Sequence, residues 1–562
     1  MPNSARRRLL RGALAAALAG GAAAACTPRR ELRFPGRLVG MPPAPGHRLL
    51  EPRQPAPQLQ RSARVVIAGA GIAGLAAAYA LQRRGVRDVL LLDALDAPGG
   101  NSSWGRNEVS AYPWGAHYVP LVRADCTPVR ELFADLRIIV DEDGAGRPVY
   151  DEYFLSADPQ ERLWMYGRWQ DGLVPQLGSS ARDRAQFQAF FALTEQLKQA
   201  RGSDGRPVFA IPVDASSADA RWRALDTLSM AAYLEQRGWD VPRLRWYLDY
   251  CCRDDYGAEA ASVSAWAGLH YFASRNGVAA NADPTTVVTW PEGNGHLAQE
   301  LLERGIMRCG ALQTRAVVTR VARRGAGVEL DYFDAALDRP VRVVADAAVL
   351  CLPQFVASRI VDMADTAAVP GAAVSTPATR PGEVEPFSYA PWMVANVTLD
   401  RLPAGDGQRL AWDNVIYDSP LLGYVVATHQ DLARVPRRTV LTYYWPLSHA
   451  EPHAARRAAF ERPLEAWQGD VAHDLLRVHP ELDGHIENID VRLWGHGMIR
   501  PTPGFIWGGA RQRAAAHRPP VYFAHSDLSG ISIFEEAYIR GQAAGDLAAR
   551  ALEGRPAKGG AP

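Results

Sequence analysis

Four consecutive apolar residues at 65–68 (VVIA) read as a buried parallel strand, and residues 75–84 then set their apolar side chains at helical spacing. A second apolar run at 89–92 (VLLL) completes a strand–helix–strand unit. Gly69, Gly71 and Gly74 stand between the first strand and the helix as Gly-x-Gly-x-x-Gly. In that pattern Gly69 permits a tight turn and Gly71 lets the backbone approach a pyrophosphate. Gly74 allows close helix-to-strand packing, and the helix N-terminus around Ala73 faces the phosphate charge. Asp93 ends the second strand 19 residues beyond Gly74, where an acid can accept hydrogen bonds from ribose hydroxyls.

Further along, the pattern alternates between two kinds of region. Residues 126–285 carry helical stretches such as RAQFQAFFALTEQLKQA, while WMVANVTL, LLGYVVATH and TVLTYYWPL, within 391–447, read as strands. That second region is dense in rings: Trp392, Trp412, Tyr417, Tyr424, Tyr443, Tyr444 and Trp445. Such rings suit a dry chamber as well as a core. The expected fold is α/β, a Rossmann-type nucleotide domain built from discontinuous segments plus a substrate domain of mixed sheet and helices. The nucleotide domain is assigned 64–125, 286–365 and 492–556, the substrate domain 126–285 and 366–491, with a tail at 557–562.

Composition narrows the chemistry. Hydrophobic residues make up 48% and charged residues 22% of the 562, and the net charge is +1, so no global field argues for nucleic acid. Lysine occurs at Lys198 and Lys558 alone, which leaves almost no candidate for a buried catalytic lysine. Six cysteines are too scattered for a disulfide scaffold or a zinc site, and Cys251–Cys252 reads as an apolar pair in a helix. No Ser-His-Asp order or metal-ligand spacing stands out. Asp254 and Asp255 read as a solvated loop pair, with attraction of a cationic amine as the alternative.

The first residues form an address. Ala5-Arg6-Arg7-Arg8-Leu9-Leu10-Arg11 resembles a twin-arginine export motif, and the Ala/Gly-rich run at 12–25 is too short for a membrane span. Residues 1–26 are assigned as signal peptide. Cys26 stands where a lipoprotein cysteine would, with cleavage after an Ala-x-Ala as the other reading. Residues 27–63, crowded with proline, read as an extended tether. An exported protein with a nucleotide site implies that the cofactor is loaded inside and carried across in the folded protein.

After Asp93 the chain runs DALDAPGGNSSW, with Gly99, Gly100 and Asn101 as a second backbone turn. Here the sequence resembles the flavin-containing amine oxidase superfamily, which includes monoamine and polyamine oxidases, phytoene desaturases and protoporphyrinogen oxidases. The resemblance extends through WPEGNGHLAQELLERG, through TRAVVTRVARR and DAAVLCLP, and through the closing VYFAHSDLSGISIFEEAYIRGQAAGDLAARAL. It covers 64–124, 289–361 and 492–552 and implies FAD, with Val318 at the adenine and Asp527 near the ribityl chain. The helix beginning near Ile533 would direct its N-terminus at the flavin, where negative charge accumulates on reduction.

The chain also departs from the family. The lysine usual near the flavin is missing, Ile533 takes the place of the second substrate-framing ring, Asn101 replaces the arginine after the glycine pair, and His525 stands where glycine is usual. His117 and His525 are then the candidates to take a proton from substrate, with His496 a third. The expected activity is oxidation of a small-molecule amine by hydride transfer to flavin, with oxygen or a quinone as electron acceptor. Two rivals remain open: desaturation of an apolar, lipid-like C–C bond, and a non-catalytic flavin-binding or assembly protein.

Overall fold

The computed structural model describes residues 33–40, 45–51, 54–362, 387–405, 407–431 and 437–554. The twin-arginine segment, Cys26 and Lys558 lie outside them, as do residues 366–386 of the second substrate stretch.

Two sheets organise the molecule. In the first, Gly310–Gln313, Val89–Leu92, Leu59–Ala68 and Arg339–Leu350 run parallel in that order. The far edge of Arg339–Leu350 is shared. Gly327–Asp334 pairs antiparallel with its first half and Val521–Phe523 parallel with its last residues, while Ala316–Arg324 completes the meander. Segments far apart in sequence thus build one Rossmann-like sheet, the discontinuous α/β arrangement expected.

Helix Ile72–Arg83 crosses between the first two strands of this unit, and the closing helix Phe534–Ala551 packs on it. The two backbones touch. A Cβ on Gly541 would lie 2.0 Å from the Ala73 carbonyl oxygen, and one on Gly545 2.6 Å from that of Ala77.

The second sheet is mixed and eight-stranded, in the order Leu38–Val39, Ile486–Ile499, Tyr389–Leu399, Thr439–Pro446, Gly423–Val426, Asp413–Ile416, Glu161–Met165, Arg168–Asp171. Period-two alternation gives it two buried faces. Met393, Ala395, Val397, Leu441 and Tyr443 pack with Trp467, Val471 and Leu475 of the helix Leu464–Val478. Leu163, Trp392, Val394, Val415, Val440 and Tyr444 form the opposite face with Tyr112, Trp114, Tyr250 and Cys251.

The proline-rich stretch departs from the free tether expected of it. Leu59–Ala63 extends the first Rossmann strand backwards to pair with Val341–Ala345, and Leu38–Val39 pairs with Val491–Arg492 of the second sheet. Most of these side chains are exposed, so their strand state rests on backbone pairing that leaves no apolar period to read. Among the described residues no helix is long and apolar enough to cross a membrane.

Replacing Gly541 by valine drives a side chain into the Ala73 backbone. The variant is expected to lose about 1–3 kcal/mol of unfolding free energy, measured by urea titration.

Candidate active site

The glycine motif divides by what surrounds each residue. Gly69 has φ +96°, and a Cβ there would sit 2.4 Å from the Cys351 carbonyl oxygen; one on Gly74 would sit 1.8 Å from that of Gly69. Gly71 is different. A Cβ on it would meet only the Gly100 Cα, at 3.9 Å, so the missing side chain leaves open space rather than relieving a clash. Helix Ile72–Arg83 begins there with no side-chain cap and no acid in its first turn. Gly99 and Gly100, with φ +118° and +57°, form a second bare turn facing Gly71, and the Gly99 amide donates to the Ala70 carbonyl at 2.8 Å. Two backbone turns facing each other at an uncapped helix end fit the pyrophosphate of a dinucleotide.

Asp93 braces this cradle. Its two oxygens accept from the Ala70 and Leu95 amides, each at 2.7 Å, leaving further lone pairs for a ribose. Burial pushes its carboxyl up, against the pull of those two amides. The Asp93 carbonyl accepts from the Ala316 amide at 2.8 Å, which brings Val318, buried beside Leu92, to the same corner. Asn101 turns the other way and donates to the Gly497 carbonyl in the second sheet.

Asp527, fully buried, has its oxygens engaged by protein. Oδ2 accepts from the Gln354 amide at 2.9 Å and from the Tyr389 hydroxyl at 2.6 Å. His525 Nδ1 stands 3.0 Å from Oδ1 and 3.1 Å from the Asp527 amide, so it caps the turn Ser526–Leu528 when neutral and pairs with the carboxylate when protonated. Burial pushes the Asp527 carboxyl up, but His525, Tyr389 and the Gln354 amide together hold it below its usual range. Ile533 is the N-cap residue of the closing helix, whose first turn carries Glu535 and Glu536; burial pushes Glu535 up to about 7.

His117 lies between Tyr444 of the second sheet and Thr289 on the nucleotide side. The preceding Ala116 amide donates to the Asn101 carbonyl, the His117 carbonyl accepts from Thr289 Oγ1 at 2.7 Å, and the Tyr118 carbonyl accepts from Asn294 Nδ2 at 3.1 Å. Gly293, at φ +59°, lies flat against this strap, where a Cβ would come within 2.8 Å of the His117 Cα. The imidazole stacks on Tyr444 with centroids 4.4 Å apart and has Tyr118 and Trp412 at 5.1 and 5.7 Å. Burial lowers it to about 4, so it is neutral at pH 7. His496 stacks on Phe355 at 4.1 Å and is lowered, chiefly by burial, to about 3.

Alternation sorts the rings of the second sheet. Trp392, Trp412 and Tyr444 belong to the face toward His117, Tyr424, Tyr443 and Trp445 fill the opposite core, and Tyr417 packs on Trp246. Near the first group, His117, Tyr118, Asp254, Tyr271 and Asp413 keep part of their surface exposed and Glu161 is exposed, and the space beside this ring cluster is the candidate chamber.

The aspartate pair is corrected here. Asp254 and Asp255 stand in the last turn of helix Pro242–Tyr256 rather than in a solvated loop. Asp255 is buried against the Arg275 guanidinium, while Asp254 is half-buried and pushed up to about 7 by burial and by Asp255 beside it. Glu161 and Asp413 went unread in the sequence. Their signal was a charge in phase with inward apolar residues, in ERLWM and DNVI. Cys251 and Cys252 are buried in a helix as expected, and Lys198 pairs with Glu195 at 2.6 Å.

Comparison with known proteins agrees with this architecture. The NAD(P)-binding Rossmann-like domain family matches residues 67–136. A tRNA 5-methylaminomethyl-2-thiouridine biosynthesis bifunctional protein MnmC from Chromohalobacter salexigens is 32% identical over 154 residues, 27% of this chain. The chain matches only 18% of that relative's length. Among solved structures, putrescine oxidase bound to putrescine superposes with a TM-score of 0.61 at 17% identity, over 87% of this chain and 100% of that one. Cyclohexylamine oxidase from Brevibacterium oxydans gives 0.60 at 16%, over 88% and 100%, and a CLA-producing fatty acid isomerase from P. acnes gives 0.56 at 16%, over 87% and 98%. The chain therefore has the fold of these proteins, with a Rossmann-like dinucleotide-binding domain.

The neutral state of His117 has a stability consequence. Between about pH 6.5 and 4 the unfolded chain binds a proton at this residue that the folded chain does not, so its contribution falls as pH falls through that window. Relative to His117→Phe, the wild type is expected to lose about 1.4 kcal/mol per pH unit there, measured by urea unfolding at pH 6.5 and 5.

Proposed function

We propose that this chain is an exported FAD-dependent oxidoreductase that oxidises an amine at the carbon beside its nitrogen. One observation carries the reading: an open glycine cradle at an uncapped helix end, with a neutral His117 ringed by Tyr444, Tyr118 and Trp412 where the second sheet meets the nucleotide side. Bound FAD supplies a two-electron acceptor, to be reoxidised by oxygen or a quinone. Gly69, Gly71, Ala73, Gly74, Gly99 and Gly100 would hold its pyrophosphate, Asp93 the ribose, and Val318 the adenine. Asp527 and the helix end at Ile533 would serve the flavin half, and Asn101 ties the second turn to the substrate sheet.

Within the chamber the chain's own residues orient the substrate and exclude water. The ring-walled pocket favours the uncharged amine, whose nitrogen lone pair assists departure of hydride from the neighbouring carbon; the substrate leaves as an iminium. The His117 imidazole, held neutral by burial, would act as an uncharged hydrogen-bonding partner for the substrate nitrogen rather than as a strong base. The shared fold of putrescine oxidase and cyclohexylamine oxidase supports this reading. The fatty acid isomerase has the same fold, which keeps an apolar substrate as the rival; carboxylates beside the ring cluster weigh against it. The twin-arginine-like start supports export as a loaded, folded protein to an extracytoplasmic site, with Cys26 as a lipid attachment point.

The purified protein is expected to be yellow and to release FAD on acid denaturation. Amines added without oxygen should bleach the flavin absorbance. Bleaching by isoprenoids but by no amine would turn the reading to desaturation, and bound flavin that nothing bleaches would make the protein a non-catalytic flavin carrier. Gly71→Val fills the cradle with its Cβ only in ordinary contact with the Gly100 backbone, so the variant should fold with its Tm within a few degrees of wild type and purify colourless.

A further inference from the structure

Basic side chains gather where the edge of the eight-stranded sheet meets the first described residues of the chain. At their centre is His496, exposed on strand Ile486–Ile499 and stacked on Phe355 at 4.1 Å. Three other elements contribute. Arg456, on helix Pro452–Glu461, donates to the Gly495 carbonyl next to His496, and His453 lies one turn earlier on the same helix. Arg359 stands one turn beyond Phe355 on helix Gln354–Ile360 and donates to the Phe355 carbonyl. His47 comes from the short turn Pro45–Leu50, which packs on that helix.

The charges around His496 have one sign. Burial, and then the fields of Arg456, His453, Arg359 and His47, hold its imidazole down to about 3, and all four fields push the same way. Among the described residues none of those four side chains pairs with a carboxylate. The acids close to them in sequence are engaged elsewhere: Glu451 caps its own helix by accepting from the Ala454 amide at 3.0 Å, Glu51 pairs with Arg48, and Asp362 pairs with Arg320. His47, Arg359 and His453 are exposed. With a net charge of only +1 over the whole chain, the patch is a local feature.

The chain enters the fold beside this patch. Leu38–Val39 pairs with Val491–Arg492, and His496 is four residues further along that strand, about 13 Å away. Cys26 precedes Arg33, the first described residue, by seven positions, so even a fully extended chain separates them by no more than about 25 Å. Between Cys26 and Val39 the sequence carries Arg29, Arg30, Arg33 and Arg37 against Glu31 alone. Leu50, 68% exposed, ends the turn that presents His47. A basic face within reach of a lipid attachment point, continued by an arginine-rich segment and carrying an exposed leucine, matches the chemistry of a bilayer with anionic headgroups.

We propose that His47, Arg359, His453 and Arg456, gathered around His496, form a docking face for anionic phospholipid headgroups, which lays the protein against the bilayer to which Cys26 attaches it. Such docking goes beyond the amine reading and does not depend on it.

Co-sedimentation of the flavin-loaded protein with vesicles tests it, using the chain from residue 27 on, which keeps every described residue and lacks the lipid attachment point. Half-saturation on mixed phosphatidylglycerol–phosphatidylcholine vesicles is expected at a lipid concentration at least about tenfold below that on phosphatidylcholine alone. The preference should vanish in about 0.5 M NaCl. Arg359→Glu/His453→Glu changes exposed side chains only, so it should keep its flavin and a Tm within a few degrees of wild type while the preference shrinks to within about threefold. Arg359→Gln alone, the milder change, should lower the preference by about threefold or more. Arg184→Glu/Arg237→Glu, exposed on the helical region, should leave it intact. Equal binding of the wild type to both vesicles, or a folded patch variant that keeps the preference, overturns the docking face. Loss of the preference in the helical-region variant as well overturns it too, because the charge of the whole protein is then the cause. A wild type whose Tm rises with inorganic phosphate while neither vesicle binds it makes the patch a free-anion site and overturns the bilayer as its occupant. Each of these outcomes leaves the oxidoreductase reading standing.

Discussion

Backbone touching backbone is the constraint on which this molecule depends. At Gly69 the chain lies against Cys351, at Gly74 it lies against Gly69, and at Gly541 the closing helix lies against Ala73. Those contacts bring the first strand–helix unit, the central strand Arg339–Leu350 and the last helix to one point. None of the three positions has room for a methyl group. Gly71, in their midst, has that room and leaves it empty, so packing does not account for its glycine.

The substrate side is governed by a different rule, the period of two along a strand. It divides one set of rings into core and chamber lining, and it sets Glu161 and Asp413 in phase with the apolar residues around them. Placement of His117 follows from neither rule alone. Its strap is clamped by Thr289, Asn294 and the flat face of Gly293 from the nucleotide side, while its ring rests on Tyr444 of the sheet. The junction around His117 is therefore positioned by both halves at once.

The nucleotide half was legible because its signals are local: glycine spacing, a short apolar run and an acid at the end of a strand all lie within thirty or so residues. The discontinuous sheet could be read for the same reason, from three short segments each with its own pattern. The carboxylate cluster was not. Glu161, Asp254 and Asp413 sit on three separate elements, and only register and helix phase bring them together. Asp254 and Asp255 show the difficulty in miniature, since adjacent residues on one helix turn go to different fates, one paired with Arg275 and one raised by burial beside it. The early strand at 59–63 was missed because backbone pairing leaves no trace in side-chain pattern.

That early segment has a mechanical meaning. Within a few dozen residues the chain adds an edge to the eight-stranded sheet at Leu38–Val39 and then a rung to the Rossmann sheet at Leu59–Ala63. It works as a clasp across the two layers, covering backbone groups of Ile486–Ile499 that would otherwise invite a stranger's strand. Trimming the chain back to the start of the glycine motif would undo that clasp at both ends while leaving every residue around the glycine cradle and His117 in the polypeptide.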